Sequence, residues 1–137
     1  MRLKIVDLNE KQLKDYLVAT CRMHEMTQDK LEPVLNRYKN AGGAEKEDLQ
    51  KLLIESHLKM VISLGNRYRG AGISFAGLIR LGNAGLISAV KKWDCGENEG
   101  FVPYLVWNIE GAILDALIKV KKEVNPSSQN NSFGGQG

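Results

Sequence analysis

Three glycines inside one amphipathic segment constrain this chain more than any other feature. Residues 72–94, GISFAGLIRLGNAGLISAVKKWD, read as a helix entered through a small-residue turn. A Gly-Asn-Ala-Gly step lies in its middle and an aromatic-Asp pair closes it. A glycine inside a helix costs roughly 1 kcal/mol relative to alanine, so Gly77, Gly82 and Gly85 need a reason. Two are open: another helix packed closely against the backbone, or a docking surface for a partner.

The flanking sequence is helical almost throughout, and the fold class it predicts is all-α. Asn9 is placed to cap a segment carrying Leu13, Tyr16, Leu17 and Thr20. Thr27 is placed to cap a second, with Leu31, Val34, Leu35 and Tyr38 on one face, although Pro33 sits a turn deeper than a helix start favours. From Glu45 to about Arg69 the pattern predicts the longest helix, its acidic opening and basic close suiting the helix dipole. Ser74 is placed to cap the glycine-bearing helix. Residues 95–100 read as a loop. Phe101 and Pro103 start a last helix whose core stripe is Leu105, Ile109, Ala112, Ile113, Ala116, Leu117 and Val120. The expected organisation is an N-terminal helical extension over residues 1–44, a compact bundle over 45–122 and a disordered tail over 123–137.

Composition excludes several function classes. A net charge of +3 is too small to announce a nucleic-acid partner, so the distribution of charge matters more. Cys21 and Cys95 form no CxxC pair and fit reduced thiols in a cytoplasmic protein. His24 and His57 have no ligand-spaced companions, so no metal is expected. No nucleophile motif, phosphate loop or dinucleotide fingerprint is visible, which argues against an enzyme and against a cofactor. No apolar run is expected to be long enough to span a membrane.

Three ordered blocks resemble region 2 of bacterial RNA polymerase sigma factors of the sigma-70 type. LIESHLKMVISLGNRYRG (53–70) is similar to the helix that opens that region. GISFAGLIRLGNAGLISAVKKWD resembles the next helix, where family members commonly read Leu-Ser-Phe-Leu-Asp-Leu-Ile-Gln-Glu-Gly-Asn-x-Gly-Leu. FVPYLVWNIEGAILDALI (101–118) resembles the promoter-facing helix, with Phe101, Tyr104, Trp107 and Ile109 in register. The gap from Asp94 to Phe101 also has the family's length, and the resemblance covers about residues 45–120.

The resemblance implies a helical bundle whose Gly82–Leu86 helix docks on the clamp coiled coil of core RNA polymerase. Arg80, Leu81, Asn83, Leu86 and Ile87 are the implied polymerase-binding residues. It further implies that Arg67, Arg69, Tyr104, Trp107, Asn108 and Gly111 face promoter DNA at the minus-ten element. There, aromatics stack on unpaired bases and cations neutralise phosphates. The remaining sequence leaves no room for a helix-turn-helix that would read the minus-thirty-five element. A second, sigma-like or regulatory protein is therefore an expected partner.

The sequence departs from the family pattern on both faces. Gly77, Arg80 and Leu81 stand where an acid, a glutamine and a glutamate are usual. Between Asp94 and Ile118 there are five acids (Asp94, Glu97, Glu99, Glu110, Asp115) and no lysine or arginine, where the family is basic. Trp107, Gly111, Leu114 and Ile118 form a second stripe distinct from the core stripe. Cover by the N-terminal helices, a protein partner and DNA bases stacked on Trp107 and Tyr104 remain open for it. Two functions follow: an initiation factor that engages the promoter with help, or a sigma-derived module that occupies the clamp without opening DNA.

Overall fold

The computed structural model describes residues 7–93 and 98–124. Among these, six α-helices and no strand are present: α1 (Leu13–Cys21), α2 (Gln28–Asn40), α3 (Gly43–Glu55), α4 (Leu58–Asn66), α5 (Phe75–Lys92) and α6 (Phe101–Val124). Short 3₁₀ turns at Glu10–Gln12 and Asn98–Gly100 lead into α1 and α6. The expected disordered tail lies outside the described residues apart from Glu123 and Val124, which continue α6. The rest of the expected loop, residues 95–97, lies outside them too.

Local sequence chemistry sets the starts of the first 3₁₀ turn and of α5. Asn9 closes a reciprocal capping box with Gln12: its side chain accepts from the Gln12 backbone N–H at 3.1 Å, and its own N–H donates to Gln12 Oε1 at 3.3 Å. Ser74 Oγ accepts from the Gly77 N–H at 3.1 Å, satisfying a donor of the first turn of α5. Thr27 stands at the N-cap of α2, but its hydroxyl donates to the Asp29 carboxylate instead of accepting a backbone bond. The helix runs through Pro33, on an exposed face where the freed carbonyl can bond water.

The helix expected from Glu45 to Arg69 is broken. Its two pieces, α3 and α4, meet at Ser56-His57. His57 Nδ1 lies 2.6 Å from the Leu53 carbonyl, and Ser56 Oγ donates to the same oxygen at 3.2 Å. These side chains satisfy the carbonyl that the His57 N–H would take in a continuous helix; that N–H bonds Ile54 instead. The longest helix is therefore α6, with 24 residues.

The core lies where α4 and α6 pack along α5, with α1–α3 closing one side. Leu58, Leu78, Ile79, Leu86, Phe101, Leu105, Ile109 and Ile113 are fully buried there. Each such side chain contributes roughly 1.5–3 kcal/mol by leaving water. Tyr38 ties α2 to the end of α5 by donating to the Val90 carbonyl at 2.9 Å, while Gln50 of α3 donates to the Tyr38 hydroxyl at 3.0 Å.

The segment Asn98–Glu123 is, by length and composition, apolar enough to cross a membrane, contrary to the sequence expectation. One face of it packs in the bundle, with Leu105, Ile109 and Ile113 buried against α5. Glu110 and Asp115 at its middle would each cost about 2.5–3.5 kcal/mol in a bilayer centre.

Candidate functional site

The glycine puzzle resolves at the seam of α5 and α6. A Cβ on Gly85 would lie 2.6 Å from the Asn108 carbonyl oxygen and 3.1 Å from Ala112 Cβ. One on Gly82 would meet Val61 Cγ1 at 2.7 Å and Ile109 Cγ2 at 3.3 Å. Both glycines are thus explained by close approach of neighbouring helices. At Gly77 the space is taken by Ile73, at 2.8 Å, and by the capping Ser74 hydroxyl, at 3.2 Å.

This packing splits the expected polymerase-binding set. Asn83 and Leu86 are completely buried. Asn83 Nδ2 donates to the Tyr16 hydroxyl of α1 at 3.0 Å, and Leu86 belongs to the core. Neither side chain reaches the surface of α5. Burial raises the Tyr16 pKa above its ordinary value, partly offset by the hydrogen bond from Asn83. The other three residues keep solvent access. Arg80 is exposed, and its Nη1 donates to the Leu8 carbonyl at 2.7 Å. Leu81 and Ile87 are half-buried, with Leu81 packed against the core. Tyr16 is the residue that sequence reasoning missed: its place in the segment capped by Asn9 did not reveal its polar partner.

The expected DNA-facing set gathers around α6. Trp107 is 78% exposed. Tyr104, one turn earlier, is half-buried, with its ring tilted against Trp93 at a centroid distance of 5.3 Å. The Asn108 amide is occupied within the helix, donating to the Tyr104 carbonyl at 2.8 Å. Gly111 is open, with nothing within 4 Å of a Cβ built on it. Ala84, Gly85 and Ser88 of α5 join Trp107, Asn108 and Gly111 in a crevice of about 440 Å³. Arg67 reaches this helix through Glu110, at 3.6 Å, and Tyr68 donates to the same carboxylate at 3.2 Å. Arg69 turns away to lie over the Phe75 ring, 4.4 Å from its centroid.

The second stripe on α6 is not covered by the described N-terminal helices: Leu114 is 42% and Ile118 51% exposed. Among the described residues, no group of three or more metal-binding side chains occurs.

An all-α bundle with a glycine-packed central helix and an aromatic-bearing partner helix is the architecture that region 2 of sigma factors implies. A sequence profile of sigma-70 region 2 matches residues 53–123. The chain belongs to the sigma-70 region 2 family. It is 40% identical over 77 residues to the RNA polymerase sigma factor SigA of Lactococcus lactis subsp. cremoris, covering 56% of this chain and 21% of that protein. Similarity to the SigA of Lactococcus lactis subsp. lactis (strain IL1403) is also 40% over 77 residues, covering 56% and 20%. A Bacillus sp. SigA is 41% identical over 71 residues, 52% of this chain and 19% of its own length. The matched stretch thus spans about one fifth of these relatives.

Proposed function

We propose that this chain is a sigma-like transcription initiation factor that binds the clamp coiled coil of core RNA polymerase through the outer face of α5. Arg80, Leu81 and Ile87 make the contact. Asn83 and Leu86 act from within, holding α5 against α1 and the core. The bundle over residues 45–122 is the working unit, extended by residues 1–44. Promoter DNA at the minus-ten region meets Tyr104, Trp107, Asn108 and Gly111, with Arg67 alongside; Arg69 joins them by leaving the Phe75 ring. The protein acts by binding, without catalysis, in the cytoplasm. The observation that carries this reading is Trp107: a large ring left 78% exposed on the family-matching helix, where an unpaired base can stack.

A second protein supplying the upstream-element contacts belongs to the proposal. The described residues 98–118 carry Glu99, Glu110 and Asp115 and no lysine or arginine, so phosphate needs cations from elsewhere. The same acidity favours the rival reading, a sigma-derived regulator that occupies the clamp and leaves DNA closed. In vitro transcription and permanganate footprinting with core polymerase separate the two. Reactive thymines in the minus-ten region, lost in Trp107→Ala, support the factor. Binding to polymerase with no reactive thymine supports the regulator, and no binding to core polymerase or its isolated clamp coiled coil sinks both.

A further inference from the structure

The turn joining α4 to α5 and the C-terminal half of α6 enclose a groove of about 480 Å³ that the functions above leave unused. One wall is the Gly70-Ala71-Gly72 turn. Gly70 (φ +88°) and Gly72 (φ +114°) adopt left-handed backbone that side chains disfavour, so this wall stays bare. A Cβ on Gly72 would also stand 3.2 Å from Val120 Cγ1, closing the groove. The other wall is Leu114, Leu117, Ile118 and Val120, with Lys121 at its end.

We propose that this groove receives an acidic amphipathic helix from a partner protein. Three observations choose the occupant. The lips, Leu114 and Ile118, are 42% and 51% exposed and lie at helical spacing, the pattern that apolar anchors of a docked helix fill. Charge reverses along α6: up to Ile118 its charged residues are Glu110 and Asp115, whereas Lys119, Lys121 and Lys122 follow, with Glu123 beside them. Glu110 is already held by Arg67 and Tyr68, which leaves Asp115 and Glu123 as the acids of the C-terminal half of α6 against its three lysines. The lysines outnumber the acids, and Lys121 lies at the groove itself, so the apolar floor ends in positive charge. Duplex DNA fits this poorly, because its phosphates would be pressed against four aliphatic side chains and lose water there. A second copy of this chain would bring its own apolar stripe flanked by both acids and lysines, a weaker match than a uniformly acidic face.

The groove rests on the proposed function in one respect, that the chain works with a second protein. Its test uses the full chain without polymerase. The probe is a labelled amphipathic helical peptide of about 18 residues with leucines on one face and glutamates on its flanks. A lysine-flanked version and a minus-ten duplex serve as competitors. Fluorescence anisotropy is expected to favour the acidic peptide over the basic one about tenfold, equivalent to about 1.4 kcal/mol. Ile118→Glu and Lys121→Glu are expected to weaken it at least about fivefold with unchanged thermal unfolding, since both positions are exposed. Peptide-induced amide shifts are expected at Gly70 and Gly72. Equal affinity for both peptides, shifts confined to other surfaces, displacement by the duplex, or self-association that Ile118→Glu abolishes would each overturn the proposal. Core-polymerase binding by Ile118→Glu separates the two readings: retained polymerase binding with lost peptide binding supports the groove as a site of its own, and loss of both overturns it. Absence of polymerase binding in the unmodified chain, with peptide binding intact, removes only the polymerase reading.

Discussion

The seam between α5 and α6 and the outer stripe of α6 lie on opposite sides of one helix, and glycine serves them differently. At the seam, Gly85 is pressed to a backbone carbonyl 2.6 Å from where its Cβ would sit. On the outer side, Gly111 faces open space. The first is demanded by packing within the chain. The second has no cause in the packing of the described residues. The same division runs through α5, where Asn83 and Leu86 are spent on the fold while Arg80 and Ile87 remain outside. A position that matches a family motif can therefore belong to the scaffold as readily as to the interface.

The largest expected effect lies at the seam. Gly85→Ala drives a methyl into the Asn108 carbonyl, a backbone atom that cannot rotate away. Over-packing of this kind costs up to about 3 kcal/mol. Thermal unfolding followed by circular dichroism should show a Tm lower by roughly 10 °C. An unchanged Tm would mean that α6 slides freely on α5 and would dissolve the contrast between the two sides.

Asn83→Ala comes next. It removes the amide that holds the buried Tyr16 hydroxyl, at a cost of about 2 kcal/mol. Hydrogen exchange sharpens the comparison: α1 amides should lose protection while those of α5 facing α6 keep theirs. Equal loss on both sides would show that the two buried faces of α5 act as one unit. The substitution also separates direct from indirect contact. If Asn83 works only from within, Tyr16→Phe should weaken polymerase binding in parallel with it.

Acid should loosen the α3–α4 break by a smaller amount. Burial is the main cause that holds His57 below its ordinary pKa of 6.5, and its bond to the Leu53 carbonyl only partly opposes this. The folded chain therefore resists a proton that the unfolded chain accepts as pH falls below about 6.5. Stability is fully present above that pH and declines below it, until the folded imidazole also titrates. Urea midpoints measured downward from pH 7.5 should fall in the unmodified chain and fall less in His57→Gln. Identical slopes would remove His57 as the cause.

How much was legible in advance follows the reach of each interaction. The Asn9 capping box, the Ser74 cap, the start of α6 at Phe101 and its buried Leu105, Ile109 and Ile113 depend on neighbours within a few turns, so the pattern reveals them. The Ser56-His57 break was hidden because a serine and a histidine also fit a helix; only their shared use of the Leu53 carbonyl and the edge-on contact of His57 with Phe101 favour the kink. The burial of Asn83 was hidden for a stronger reason: its partner Tyr16 lies 67 residues away, and no periodicity encodes that pairing. Exposure of Trp107 was one of three open readings, because a tryptophan at helical spacing is equally consistent with cover, partner or base.

The smallest effect on stability carries the most information about the outer stripe. Gly111→Ala places a methyl in open space and removes a helix-weakening glycine, so it should stabilise the fold by up to about 1 kcal/mol. Trp107→Ala should change stability by no more than about 0.5 kcal/mol, since the ring is 78% exposed. If the stripe serves promoter opening, Trp107→Ala should lose thymine reactivity in the minus-ten region while its binding to core polymerase stays unchanged. Gly111→Ala tests the adjoining crevice: a methyl there narrows the space between Trp107 and Asp115, so a ligand seated in it should bind more weakly to a more stable protein. Stability and binding would then move in opposite directions, as expected where an open position is kept for a partner. A stable Gly111→Ala variant with unaltered activity would instead make Gly111 incidental, leaving Trp107 as the element of the stripe tied to DNA.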